Sequence, residues 1–254
     1  MNSKTYNLST PQAMILAGLA VLLTAWLISF PIKAFIADYY YNRVSVILDN
    51  KSTDYLDVKE ISAGTMSDYL AAIKSLEKST TLRPTMSIYY KALSDIYARL
   101  GIWADTMEAM NEALPAQTLS SKAAFVYAAS YLKTAISLEP TNPDYHLALG
   151  QLYDTIGAGG SVAEKELTRA INAYPINAPL RYAVASHHLL TGRTGDALEH
   201  TGVLARIDDS YMFNALEIAW RASGDPEVVK GIAPDNPDAR AAVELFLEWK
   251  GLEE

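Results

Sequence analysis

The chain has 254 residues, a formal net charge of -8 at pH 7 and no cysteine. This acidic balance argues against a nucleic-acid-binding protein, because such proteins neutralise phosphates with lysine and arginine side chains. The absence of cysteine excludes disulfide bonds, thiolate metal sites and cysteine nucleophiles.

An apolar segment without any charged side chain occupies residues 5–32. A helix needs about 20 apolar residues to cross the hydrocarbon core of a bilayer, and this segment is longer than the apolar core of a cleaved signal peptide. Its end lacks an Ala-x-Ala cleavage site, and a buried helix of this length would show a polar face. The sequence therefore predicts a short tail over residues 1–10 and an uncleaved transmembrane anchor in the lipid bilayer over residues 11–37.

One face of the predicted anchor carries small residues at helical spacing, namely Ala13, Ala17, Ala20 and Thr24. Small side chains let two helices approach closely in lipid, so this stripe suits a membrane-protein partner or a second copy of the chain. A lone span facing lipid is the alternative, and the absence of a GxxxG motif favours it.

The charges beside the anchor give a weak orientation signal. Lys4 precedes the anchor, whereas Lys33 and Arg43 follow its apolar part. The lysine and arginine count slightly favours a cytoplasmic body, but long domains cross a membrane largely regardless of charge. Because a short tail before a long domain is the usual form of a signal anchor, we expect a single-pass protein of a bacterial inner membrane with its C-terminal domain outside the cytoplasm.

Three stretches of the body share a pattern of apolar, small and ring-bearing residues. They are Leu93-Ser94-x2-Tyr97, Leu149-Gly150-x2-Tyr153 and Val184-Ala185-x2-His188, followed after three further residues by Gly101, Gly157 and Gly192 respectively. Gly157 and Gly192 are 35 residues apart. Apolar residues at a spacing of three or four indicate helices, and each glycine is predicted to end the first helix of a pair.

Capping residues are predicted at several helix starts. Asn142 and Asn236 each precede a proline, which is the pattern of an N-cap followed by the first helical position. Ser161 and Glu164 have the spacing of a capping box. Residues 157–160 are therefore predicted to be an inserted turn, since the Lys-Ser/Thr of a phosphate-binding loop is missing.

The body is less regular on either side of these units. Residues 49–54 are the most polar stretch and the predicted hinge. Residues 128–140 look like a second helix without its first, so either a unit was lost between residues 114 and 120 or one long helix spans residues 120–138. Helices are also predicted over residues 211–223, 226–231 and 237–250, the last two as caps of the array.

These motifs resemble the tetratricopeptide repeat (TPR) family, whose helix–turn–helix unit has 34 residues. The resemblance covers residues 86–209, with a linker helix and a degenerate first repeat in residues 38–85 and capping helices in residues 210–254. It implies an all-α protein in which a single N-terminal transmembrane helix precedes a TPR-like α-solenoid of antiparallel helix pairs.

The resemblance also implies a groove for protein partners, lined by the first helices of the pairs. The family's groove positions fall on Lys91, Asp95, Asp144, Gln151, Asp154, Tyr182 and Ser186. A mixed groove of this kind suits an extended or helical segment with apolar anchors. Capture of chaperone tails is not expected, because the family's carboxylate clamp needs lysine and asparagine where Asp95 and Leu147 stand.

No catalytic, metal or cofactor site is predicted. His187 and His188 are adjacent and therefore point apart on a helix, and His188 with His200 has no carboxylate in the sequence pattern to complete a ligand set. A nucleophile elbow is absent as well.

The sequence thus favours a membrane-tethered TPR scaffold or adaptor that binds protein partners in a cell-envelope assembly, for example polysaccharide export or secretion machinery. The alternative is a structural accessory subunit of a larger membrane complex that packs through both its transmembrane helix and its solenoid. Neither reading involves nucleic acid or an enzymatic reaction.

Overall fold

The computed structural model describes residues 10–49, 63–110 and 119–251. Within these ranges every regular element is a helix, which confirms the all-α prediction. The helices are α1 (Thr10–Asp49), α2 (Ala63–Leu82), α3 (Ser87–Ala109), α4 (Ser121–Leu138), α5 (Pro143–Thr155), α6 (Gly160–Ala173), α7 (Ala178–Leu190), α8 (Thr194–Ile207), α9 (Met212–Ser223), α10 (Pro226–Ile232) and α11 (Pro237–Trp249). The chain divides into two compact units, Met1–Ile96 and Tyr97–Glu254. The domain boundaries expected at residues 10, 37, 85 and 209 stay predictions.

Helix α1 contains the predicted anchor. Its part Ala17–Val44 is long and apolar enough, by length and composition, to cross a membrane. The mean hydropathy of an 18-residue window within this part is 2.0, and none of that window is buried. Trp26 and Phe30 are each 66% exposed, whereas the side chains of a helix in the core of a soluble domain are mostly buried. A signal sequence meets the same length and composition criterion.

The same helix continues without interruption into the core of the first unit. Ala37 and Val44 are buried where α1 packs against α2. The hydroxyl of Ser79 on α2 donates to the backbone oxygen of Ala37 at 2.9 Å, and this contact is buried. The hinge expected at residues 49–54 lies almost entirely outside the described residues.

A polar contact joins α1 to α3 in the first unit. The carboxylate of Asp38 accepts a hydrogen bond from the buried hydroxyl of Tyr89 and lies 3.3 Å from the Arg83 guanidinium. Burial, reinforced by the neighbouring Asp38 carboxylate, raises the pKa of Tyr89 to about 12. Tyr89 therefore stays protonated and keeps its donor role at any physiological pH.

The second unit contains the predicted helix pairs. The pairs α5–α6 and α7–α8 pack closely, and their short connections make each pair antiparallel. The turn glycines Gly157 and Gly192 have φ of 65° and 75°, the left-handed conformation that ends a helix. Helix α4 packs on α5, and α9 packs on α8 and α7 before α10 and α11 complete the unit.

The turn predicted at Gly101 is wrong. Helix α3 continues through this residue to Ala109, and Gly101 is buried. A Cβ atom added there would lie 2.7 Å from the ring of Phe125 on α4. Gly101 therefore serves close packing between two helices. The pattern expected on the second helix of this unit, Met110-x2-Ala113, lies outside the described residues except for Met110.

Two of the predicted N-caps are present, and the predicted capping box is not. Asn142 accepts from the backbone N–H of Asp144, and Asn236 accepts from that of Ala239. The capping box of Ser161 and Glu164 is wrong, because α6 begins two residues earlier than a Ser161 cap requires, with Gly159 as its cap and no side-chain bond. Two alternatives were given for residues 114–138, a lost repeat unit or one long helix. Helix α4 confirms the long helix, and Ser120 is its N-cap.

Gly150 gives a stability test of the α5–α6 packing. A Cβ atom at Gly150 would lie 2.8 Å from side-chain carbons of Leu167 and 3.1 Å from the backbone oxygen of Ala163. We expect Gly150→Ala to lower the free energy of unfolding by about 1–3 kcal/mol through overpacking. Gly195→Ala on α8 is the matched control, because nothing lies within 4 Å of its Cβ position. That change should raise stability by up to about 1 kcal/mol through helix propensity. Urea denaturation followed by circular dichroism measures both, and a loss of similar size in the two variants would contradict this account.

Candidate partner-binding surface and the ion cluster beside it

The first helices of the pairs in the second unit lie side by side. Helix α7 contacts α5 on one side and α9 on the other. The groove residues predicted for this unit lie on α5 and α7. These two helices therefore place them on neighbouring elements, as a groove requires.

In the first unit, the two predicted groove residues pair with each other. Lys91 Nζ lies 2.7 Å from Asp95 Oδ1, one turn further along α3. Their side chains are about a fifth exposed. An ion pair within one helix of this kind stabilises the helix by about 0.3–0.5 kcal/mol.

Four of the groove residues predicted in the second unit retain accessible surface. Asp144 is exposed in the first turn of α5. Gln151, Tyr182 and Ser186 are half-buried, and the Tyr182 ring packs at 5.8 Å from that of Tyr211. A surface with an amide, a hydroxyl and the edge of an aromatic ring can both hydrogen-bond a backbone and hold an apolar side chain.

Asp154, the fifth predicted residue of this unit, has a different role. Its side chain is only 13% exposed, and its carboxylate lies 2.7 Å from His187 Nε2 on α7. It also pairs with the guanidinium of Arg193, in the turn before α8. The Asp154 carboxylate thus connects two helix pairs.

An ion cluster extends from this contact along the boundary between the pairs. Arg193 Nη1 lies 3.0 Å from Glu164 Oε2 on α6. Beside it, the rings of His188 and His200 stack at 5.2 Å with an interplanar angle of 4°. Arg181 Nη1 lies 2.9 Å from His200 Nδ1 and donates to it. Charged groups from α5, α6, α7 and α8 therefore meet around a pair of imidazoles.

Both stacked imidazoles are neutral at pH 7. Burial, together with the nearby Arg193 and His200, lowers the pKa of His188 to about 4, although Asp196 opposes the shift. Burial and the Arg181 charge also lower the pKa of His200. An open cleft of about 240 Å³ lies beside them, lined by Glu164, Thr168, Ile171, Arg181, Asp196, Glu199 and His200.

A second buried histidine shows what a fully partnered imidazole looks like in this fold. His146 Nδ1 lies 2.7 Å from Glu166 Oε2, and its Nε2 lies 2.9 Å from the backbone oxygen of Pro140. Arg169 completes the group at 2.6 Å from Glu166. This contact fixes α5 to α6 and leaves no ring nitrogen without a partner.

The carboxylates around His188 were not predicted from the sequence, because Glu164 and Asp196 come from α6 and α8 while His188 lies on α7. The available signal was the third repeat itself, which has an imidazole at the position that Tyr97 and Tyr153 occupy in the other units.

No family model matches the chain, and no curated protein matches it. Among solved structures, the chain is similar to MamA protein, with 18% identity over 80% of this chain and 94% of that chain and a TM-score of 0.41. It is also similar to TTC0263, a thermophilic TPR protein of Thermus thermophilus, with 19% identity over 86% and 99% and a TM-score of 0.44. YrrB, described as a TPR protein with an unusual peptide-binding site, gives 14% identity over 82% and 99% and a TM-score of 0.40.

The class of fold follows from the helices themselves. Antiparallel pairs with a left-handed glycine in the connecting turn, small residues at the close approaches and neighbouring first helices make the second unit a TPR-like helical array. The resemblance inferred from the sequence is confirmed at the level of the fold.

Proposed function

We propose that this protein is a membrane-tethered, non-enzymatic scaffold that binds an extended or helical segment of a protein partner on the layer formed by α5 and α7. Its setting would be a cell-envelope assembly, such as polysaccharide export or secretion machinery, with the body outside the cytoplasm. The supporting observation is helix α1, which joins an uncovered apolar stretch directly to the core of the first unit.

The tether is supported by the exposure of α1. Large apolar side chains in this helix would otherwise face water, and Trp26, Phe30 and Phe35 are each at least 66% exposed. Each square ångström of apolar surface left in water costs roughly 25 cal/mol. A bilayer removes that cost along the whole stretch.

The binding surface is supported by the accessible residues of α5 and α7. Gln151 and Ser186 offer polar groups, and Tyr182 offers part of an aromatic ring. Tethering confines this surface to a plane and raises its effective concentration for partners in the same plane.

The alternative function, a subunit packed through the anchor stripe, receives less support. The hydroxyl of Thr24 donates to the backbone oxygens of Ala20 and Val21, each at 2.9 Å, so it needs no partner helix. Ala17 and Ala20 are exposed, and Ala13 lies outside the residues whose side chains are described. A helix contact through this stripe of small residues stays a prediction.

Membrane insertion is tested by alkaline extraction of the full chain from isolated membranes. The double variant Leu22→Arg and Leu27→Arg places two charges in the apolar stretch, each costing about 2.5–3.5 kcal/mol at a bilayer centre. We expect the variant in the soluble fraction and the unaltered chain in the pellet. Val126→Arg, at a similarly exposed apolar site on α4, should leave the distribution unchanged. Complete extraction of the unaltered chain would refute the tether.

Partner binding is tested by a photo-crosslinking residue placed at Ser186 or Gln151 in native membranes. We expect one defined adduct from both positions. The control position is Lys165, which is exposed on the second helix α6, and it should give none. Equal labelling from all three positions, or none from Ser186 and Gln151, would refute this binding surface without bearing on the tether.

A further inference from the structure

Three potential metal ligands meet at the boundary between the two helix pairs. They are Glu164 on α6, His188 on α7 and Asp196 in the first turn of α8. One ligand atom of each lies within 4.8 Å of those of the other two. Glu164 Oε2 and His188 Nε2 are 3.8 Å apart, which is too far for a hydrogen bond.

His188 is an unusual core residue because its polar atoms lack partners. Its side chain is fully buried, and neither ring nitrogen has a hydrogen-bond partner in the described part of the chain. Leaving a buried polar group unsatisfied destabilises the folded state, and native structures contain few such groups. His146, in the preceding pair, has partners on both nitrogens.

The repeat pattern shows that packing at the position of His188 does not require a ring nitrogen. Tyr97 and Tyr153 occupy the same position in the other units and supply a ring there. Only the third unit of the pattern places an imidazole at this position, and it does so where two carboxylates approach. A neutral imidazole nitrogen is a common ligand of divalent transition metals.

Carboxylates outnumber guanidinium groups around the three ligands. The carboxylates of Asp154, Glu164, Asp196 and Glu199 face the guanidinium groups of Arg181 and Arg193, which leaves an excess of negative charge. Both guanidinium groups are occupied, Arg181 by His200 and the backbone oxygen of Pro175, and Arg193 by Asp154 and Glu164. Asp196 is exposed at the cleft and is available to a ligand.

We propose that Glu164, His188 and Asp196 bind a divalent first-row transition-metal ion, with Zn²⁺ as the representative, and that water from the adjacent cleft completes its coordination. Zinc bonds to nitrogen and carboxylate oxygen are about 2.0–2.2 Å long, so tetrahedral ligand atoms lie about 3.4 Å apart. Glu164 Oε2, 3.8 Å from His188 Nε2, is therefore within about 0.4 Å of this spacing. The exposed Asp196 side chain moves inward by at most about 1.4 Å. The imidazole distinguishes this set from the all-oxygen sites of Ca²⁺ and Mg²⁺.

The bound ion would connect the second helix of one pair to both helices of the next. An ion that binds only the folded chain stabilises it by mass action. The metal would therefore stabilise the packing of the two helix pairs, which Asp154 and Arg193 already connect. This role is independent of any partner on α5 and α7.

The test is a titration of the tag-free full chain in detergent micelles, first treated with a chelator and then given Zn²⁺ or Co²⁺. We expect saturation near one equivalent, a rise in the melting temperature and, for Co²⁺, visible absorption bands of a low-coordinate site. Asp196→Asn and Glu164→Gln should each weaken binding at least tenfold. The two carboxylates are chosen for this test because they are accessible, whereas a change at the fully buried His188 would also alter the packing of the repeat.

Asp235→Asn is the charge-matched control, since Asp235 lies in the exposed connection between α10 and α11 and is outside the cluster. Its affinity for Zn²⁺ should equal that of the unaltered chain. The proposal is overturned if the chain binds no ion, or if Asp196→Asn and Glu164→Gln bind as tightly as Asp235→Asn. Equal binding would place the ion elsewhere, for example at the Asp154–His187 contact.

Discussion

Replacing Phe246 by alanine is expected to lower the free energy of unfolding by about 3–5 kcal/mol. Phe246 is fully buried on α11 and belongs to the core that joins α8, α9, α10 and α11. Its ring meets the ring of Phe213 on α9 at 6.2 Å and that of Trp249 at 5.9 Å. Truncation would leave a cavity that these neighbours cannot fill without moving α11.

Urea denaturation of the full chain in micelles, followed by tryptophan fluorescence, measures this effect, because Trp220 and Trp249 lie in or beside the same core. Leu245→Ala on the same helix is the matched control, since Leu245 is 55% exposed. Its effect should stay within about 0.5 kcal/mol. Similar losses from both variants would show that α11 does not cap the array through Phe246.

Lowering the pH from 7 to 5 is expected to cost about 2 kcal/mol of stability through His188 alone. Burial, with help from Arg193 and His200, lowers the pKa of His188 to about 4 in the folded chain, whereas a histidine in the unfolded chain has a pKa near 6.5. Between these values the unfolded state binds a proton that the folded state does not. The contribution is therefore fully present above about pH 6.5 and is lost as the pH falls towards 4. The lowered pKa of His200 acts in the same direction.

Chemical denaturation at pH 7 and pH 5, with a chelator present, tests this prediction. His188→Phe keeps a ring in the core but cannot titrate, so its loss of stability between the two pH values should be smaller by about 2 kcal/mol. The buried, unpartnered nitrogens of His188 are absent from this variant. An identical pH dependence in the two proteins would mean that His188 is not buried neutral.

The helix pairs could be predicted because their signal is local. The spacing of Leu149, Gly150 and Tyr153 encodes one face of α5, and Leu167 follows from the same rule on α6. Asparagine before proline identified the starts of α5 and α11, since an N-cap depends on residues within one turn.

The turn at Gly101 was mispredicted because the repeat pattern was extended to a glycine in a different context. Gly157 is soon followed by Gly159 and Gly160, and Gly192 by Gly195, whereas Gly101 is followed by Ile102, Trp103 and Ala104. Trp103 and Ala104 are buried, so helix packing keeps α3 continuous and outweighs the glycine.

The ion cluster lay beyond prediction for a different reason. Its contacts join residues that are far apart in the sequence, such as Asp154 with Arg193 and Glu164 with Arg193. A repeat period reports which residues share one helix face, but it carries no information on which charges meet across neighbouring helices. The unpartnered nitrogens of His188 depend on three-dimensional packing as well.

If α1 spans a bilayer, its unbroken course fixes the distance between the first unit and the membrane. At 1.5 Å per residue, its 40 residues extend about 60 Å, of which a bilayer core takes about 30 Å. The first packed residue, Ala37, follows Phe30 by two turns of helix, or about 10 Å. In a tethered chain the first unit would therefore lie close to the lipid headgroups, because one continuous helix joins its core to the membrane span.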